Sequence, residues 1–157
     1  MILQIFIRYA IHIISAMMGV IAFSAIFHAP KSEYLACGFT GTVGWLTYCI
    51  ARDLGIDVII SNFIATTVLT LIARIIVIIR RNPITVYLVP GIFPLVPGAG
   101  IYYTAYYLFT GYPQIALTKG IETIEVAGAI TMGIIFGSFI AYEYFRQQRE
   151  FRRLMKD

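Results

Sequence analysis

The chain has 157 residues, 59% of them hydrophobic and 13% charged, with a mean hydropathy of +0.81, whereas a soluble domain carries roughly 25% charged residues. That composition excludes a soluble fold and predicts one integral membrane domain, because apolar segments run from Ile2 to Phe145 with only short interruptions. Most of the net charge of +4 comes from the last dozen residues, which lack the interleaved aromatics of a nucleic-acid patch beyond Phe145 and Phe151 and read as an anchor at anionic lipid.

Crossing the hydrocarbon takes about 20 helical residues. Five stretches meet that length, so the sequence predicts an all-α protein with five transmembrane helices over 1–145 and a basic cytoplasmic tail over 146–157. The first, Ile2 to Phe27, far exceeds the ~7–15 residues of a signal-peptide h-region and reads as a retained span. On it Arg8, His12, Ser15, Gly19 and Ala22 share one side, where the small residues predict close approach of another helix. His12 reads as a hydrogen-bonded interior or interfacial histidine, with proton handling the alternative.

After "HAPKSE" the second span runs from Tyr34 to Ala51 and carries "CGFTGTVGW", whose Gly38, Gly41 and Gly44 admit a neighbouring backbone. Cys37 and Cys49 stand twelve residues apart on this segment, about 18 Å of helical rise, and cannot pair with each other. No metal motif is present and no cofactor is implied.

The third span, Ile56 to Ile79, follows "RDLGID". Asn62, Thr66, Thr70 and Arg74 recur every four residues with Thr67 beside them, which puts them on one face. That face suits a polar pathway in which Arg74 is counter-charge to an anionic substrate. The competing reading has the threonines bonding their own helix while Arg74 snorkels toward the cytoplasm. In "RRNP", Asn82 is placed to cap the next helix and Pro83 to occupy its first position.

The fourth span, Ile84 to Phe109, holds Pro90, Pro94 and Pro97 with Gly91 and Gly98 beside the first and last. A helix-interior proline removes a hydrogen bond and clashes with the preceding turn, at a cost of about 3 kcal/mol or more. The expected result is a half-helix to about Val89, an unwound piece, and a second half-helix from about Ala99. Hydrocarbon tolerates irregular backbone only where protein shelters it or water reaches it. The second half-helix would offer unpaired N–H groups and its positive dipole end to a carboxylate, with Tyr102 and Tyr103 on the next turn. Tyr106, Tyr107 and Tyr112 suit an outer interfacial belt. A kink serving only packing is the alternative.

After "TGYPQIALTKG" the fifth span extends from Glu122 to Phe145. Ala129, Gly133, Gly137 and Ala141 form a small-residue packing ridge. Glu125 is a candidate proton carrier if desolvation favours its neutral form, and pairing with Lys119 is the plainer role. Five spans put the termini on opposite sides. Arg146, Arg149, Arg152, Arg153 and Lys156, joined by Lys31, Arg80 and Arg81, put the C-terminus in the cytoplasm and the N-terminus outside. No nucleophile and base pair occurs within the spans, which argues against an enzyme.

The stretch "PGIFPLVPGAGIYY" resembles the signature of the threonine/serine exporter family, in the short form that corresponds to that family's C-terminal five-span half. The resemblance implies export of threonine and serine or, in split two-gene forms, of a dicarboxylate such as succinate. It also implies a second membrane subunit supplying the family's N-terminal half. The family pattern transfers to Pro90, Gly91, Pro94, Pro97 and Gly98. The expectation is thus a subunit of a secondary exporter, proton-coupled, in the bacterial plasma membrane, binding small carboxylates at these residues with Tyr102, Asn62, Thr66 and Arg74. A non-transporting assembly or regulatory subunit, using its small-residue ridges as the interface, is the alternative.

Overall fold

The computed structural model describes residues 2–154, with the side chains at 2, 3, 5, 145 and 147–154 outside that description. The tail residues Arg149, Arg152, Arg153 and Lys156, on which the expected sidedness partly rests, therefore lie outside the described side chains. All regular structure among the described residues is helical: α1 (Ile2–Ile26), α2 (Tyr34–Asp53), α3 (Val58–Arg80), α4 (Thr85–Ile92), α5 (Gly98–Phe109) and α6 (Pro113–Leu154), with 3-10 turns at Lys31–Glu33 and Phe93–Leu95.

α1, α3 and α6 are long and apolar enough to cross a membrane, and α4 with α5, bent by 52°, makes a fourth crossing or a re-entrant loop. The fifth expected span, α2, has 20 residues but is not among the helices apolar enough to count. Its place in the fold explains why. α2 packs against α1, α3 and α4, so it faces protein more than lipid and can carry glycine and threonine. Thr40, Thr42 and Thr47 donate to the carbonyls of Ala36, Gly38 and Val43 one turn back, which pairs all three threonine hydroxyls in an apolar setting.

The three α2 glycines meet three neighbours. A Cβ on Gly38 would press on Ile21 and Met17 of α1; one on Gly41 would stand 3.0 Å from the Gly91 carbonyl oxygen of α4; one on Gly44 would press on Leu69 of α3. The expected α1 face is corrected. Gly19 has nothing within reach of an added Cβ, and the contact face is instead Ala16, Val20 and Ser24. Arg8 pairs with Asp53 at the far end of α2, Tyr9 donates to the same carboxylate at 2.6 Å, and Trp45 Nε1 donates to His12 Nδ1 at 3.4 Å.

Two further boundaries differ from expectation. Asn82 does not cap α4: Arg81 closes α3 in a left-handed conformation, α4 starts with no side-chain cap, and the Asn82 amide is drawn to the Tyr87 hydroxyl at 3.1 Å. α6 begins at Pro113, well before the expected Glu122, because proline at a first helical position loses no hydrogen bond and "QIALTKG" carries no later breaker. Both cysteines are free.

The longest seam joins α3 to α6. Ala129, Gly133, Gly137 and Ala141 are all buried, and a Cβ on Gly137 would stand 2.8 Å from the Thr67 carbonyl oxygen. Backbone meets backbone there, the close approach that small-residue ridges permit. Gly137→Leu should therefore destabilise the purified protein by about 1–3 kcal/mol, the cost of overpacking a tight contact, while Gly128→Leu, on an exposed position with nothing within 4 Å, should stay within ~0.5 kcal/mol. Thermal unfolding in detergent distinguishes them; equal melting temperatures would contradict this packing.

Candidate functional site

The break in the α4–α5 segment is narrower than the sequence suggested. α4 stays helical through Pro90 to Ile92, a 3-10 turn takes Phe93–Leu95, and only Val96 and Pro97 separate it from α5. Each proline withholds the N–H that would have reached the carbonyl four residues back, and each of those carbonyls has found another donor. Val86 accepts from the Cys37 thiol at 3.2 Å. Pro90 accepts from the Phe93 N–H, and Phe93 from the Val96 N–H at 3.2 Å.

Shelter comes from four helices. Pro90 and Gly91 are buried against α2, where Gly41 and Gly91 touch backbone to backbone. Leu95, 5% exposed, packs with Ala65, Leu69 and Ile130 of α3 and α6, while Phe23 of α1 stacks on Phe93. Pro94 and Pro97 are partly buried.

Beyond Pro97 the accounting changes. Gly98 N–H bonds the Val96 carbonyl at 2.7 Å, closing an inverse γ-turn about Pro97 at φ −76°, ψ 54°. Ile101 N–H reaches the Pro97 carbonyl. The N–H groups of Ala99 and Gly100 have no acceptor among the described residues, and no side chain caps α5. Gly98 and Ala99 are exposed and an added Cβ on Gly98 meets nothing. Two open donors stand at the positive end of a 12-residue helix, beside a side-chain-free residue, a cradle of the kind that suits an anionic oxygen. Tyr102, one turn on, is 62% exposed.

The α3 residues form a separate group. Asn62 and Thr66 are buried and turned inward on α3 itself: Asn62 Nδ2 donates to Val58 O at 2.9 Å and Thr66 Oγ1 to Asn62 O at 2.7 Å. Thr67 donates to Phe63 O and, across the seam, to Gly133 O at 3.3 Å. Arg74 is partly exposed, and its buried Nε has no hydrogen-bond partner. Thr66 sits at Gly133 and Thr70 at Gly137, so α3 and α6 run parallel and α3 starts level with about Glu125; Gly100 abuts Thr123. The start of α5 thus lies near the α3 N-terminus, roughly 27 Å along the axis from Arg74 at 1.5 Å per residue. Arg74 and Gly98 do not share one site. Glu125 is exposed, and Lys119 pairs with Glu122 at 2.8 Å.

Sequence reasoning missed Glu33 and Tyr87. Glu33 lay in what read as a connector, yet it is 5% exposed and accepts from the fully buried Tyr87 hydroxyl at 2.8 Å. The charge in a short linker was a weak local signal; a partner 54 positions away left none. No cluster able to hold a metal ion occurs among the described residues.

The model of the threonine/serine exporter ThrE family matches residues 12–140, a stretch that takes in most of α1, all of α2 to α5 and α6 as far as Ile140. No curated protein and no solved structure matches the chain. A family match across that much of the sequence, over a helical membrane fold with a broken fourth apolar segment, assigns the chain to the threonine/serine exporter family.

Proposed function

We propose that this transporter-family chain is a membrane subunit of a secondary exporter that moves small carboxylate metabolites, threonine and serine or a dicarboxylate such as succinate, outward across the bacterial plasma membrane. The observation that carries the reading is the pair of open N–H groups at Ala99 and Gly100, which suits the carboxylate these substrates share. In this account Pro90, Gly91, Pro94 and Pro97 hold the break, Gly98 lets substrate reach backbone, and Tyr102 offers a hydroxyl. Arg74 is proposed as a second station further along the path, where an incoming carboxylate would meet its unpartnered Nε, with the inward-bonded Asn62 and Thr66 on α3 between the two. Proton coupling completes the proposal; Glu125, the acid the sequence put forward for it, is exposed at the opposite end from Arg74.

A second membrane subunit corresponding to the family's N-terminal half fits one further feature. α5 has no buried residue, and Ile101, Tyr103, Tyr106 and Phe109 are exposed on it, so much of its surface awaits lipid or protein. α2 is proposed to cross the membrane with the others. The N-terminus is proposed to lie outside and the C-terminus in the cytoplasm, since Lys31, Arg80 and Arg81 collect at the end toward which α6 runs its basic tail. The small-residue ridge of α6 is already spent on α3, which weighs against the assembly-subunit alternative that relied on it.

Proteoliposomes holding the chain with its partner subunit should release preloaded radiolabelled threonine, serine or succinate. Gly98→Leu should lower that release about tenfold by covering the cradle with no loss of thermal stability, because the added side chain enters open space. Full efflux by a folded Gly98→Leu protein would remove the cradle from the pathway.

A further inference from the structure

A permanently charged carboxylate is costly in a sheltered, low-dielectric place unless its oxygens are fully paired. Among the described residues Glu33 is the one buried acid; Asp53, Asp57, Glu122, Glu125 and Glu143 all keep some exposure. It ends the 3-10 turn before α2 and is bonded to Tyr87, a member of the buried cluster of Val20, Cys37, Ala73 and Tyr87.

Its pairing is incomplete. Oε2 accepts one short bond, from Tyr87 at 2.8 Å, and Tyr87 in turn accepts from Asn82 Nδ2. Oε1 has only the Ser32 hydroxyl at 3.5 Å and the Arg80 guanidinium at 3.9 Å, and Arg80 is itself 53% exposed. An ionised carboxylate has about four acceptor sites, so this one is underfilled. The groups around it are Tyr87 from α4, Arg80 from α3 and Cys37 from α2, whose thiol is committed to Val86 O; Ser24 of α1, beside that thiol, has its hydroxyl committed to Val20 O. Lys31, two residues earlier, is exposed. Arg80 is thus the one cation that an ion pair gives it, at the longest reach of such a contact.

We propose that Glu33 is the carboxylate that takes up and releases the coupling proton of transport, with Tyr87 as its positioning residue; this rests on the exporter reading and on its proton-coupled part. The step is a simple exchange: a proton from water adds to Oε1, the carboxylate becomes a neutral acid, and release reverses it. The neutral form no longer attracts Arg80, and the Tyr87 bond loses its charge assistance. That bond ties the start of α4 to the start of α2, so the proton changes how firmly the broken segment is held at that end.

The test compares two modes in proteoliposomes of the chain with its partner subunit. Export driven by an imposed pH gradient needs the proton; counterflow of labelled against unlabelled substrate does not. Glu33→Gln should lose driven export by about tenfold or more with a far smaller fall in counterflow, and Glu33→Asp should recover driven export. Tyr87→Phe should shift the pH midpoint of driven export while the pump still works. Driven export retained by Glu33→Gln, or wild-type export indifferent to the gradient, overturns the assignment with the exporter reading intact. Absence of any wild-type counterflow overturns both. If Glu33→Gln does not fold, an unmoved pH midpoint in Tyr87→Phe overturns the assignment.

Discussion

Within hydrocarbon every backbone N–H and carbonyl needs a partner from the protein, and the prolines of the fourth apolar segment put that requirement under most strain. Three withheld N–H groups leave three carbonyls without their helical donors. The structure supplies one from a neighbouring helix, the Cys37 thiol, and two from the 3-10 turn that the prolines themselves enforce. Those three carbonyls are therefore satisfied, and open donors remain at Ala99 and Gly100, where α5 starts. An uncapped helix start presents positive potential, which is the polarity a carboxylate needs.

That local economy depends on α2. Its glycines admit side chains of α1 and α3 and the backbone of α4, and Gly41 against Gly91 fixes α4 where Cys37 can reach Val86. The same strategy recurs at the α3–α6 seam, where Gly133 and Gly137 admit Thr66 and Thr70. Because the threonine hydroxyls are bonded within α3, the seam is closed by packing and one cross-helix bond, that of Thr67 to Gly133. Few directional bonds cross it, whereas the α2–α4 contact is pinned at the Cys37 thiol and at Glu33.

What the sequence made legible follows from how local each cause is. The apolar spans and the Ala129 to Ala141 ridge are written in a 3.6-residue period, and proline's missing N–H is a covalent fact visible at Pro90, Pro94 and Pro97. The five-span count was less secure, since α2 is shielded by its neighbours and need not look like a lipid-facing helix. Partners were not legible at all. Cys37 meets Val86 across 49 positions and Tyr87 meets Glu33 across 54, and the second contact is also why Asn82, a good cap by sequence, serves Tyr87 instead. Grouping Asn62, Thr66 and Arg74 with Gly98 was beyond periodicity, which relates residues on one helix but not the heights of two.

The central claim is that backbone N–H groups at the start of α5 bind the substrate carboxylate. Ala99→Pro tests it most directly, because a proline in the first helical turn removes a donor while costing the helix no hydrogen bond. Half-saturation for substrate should be measured in counterflow alongside melting temperature. Loss of one hydrogen bond to a charged group, worth about 1.5–3 kcal/mol, predicts half-saturation weakened roughly 10- to 100-fold at unchanged melting temperature. Unchanged half-saturation in a folded Ala99→Pro protein would contradict the account.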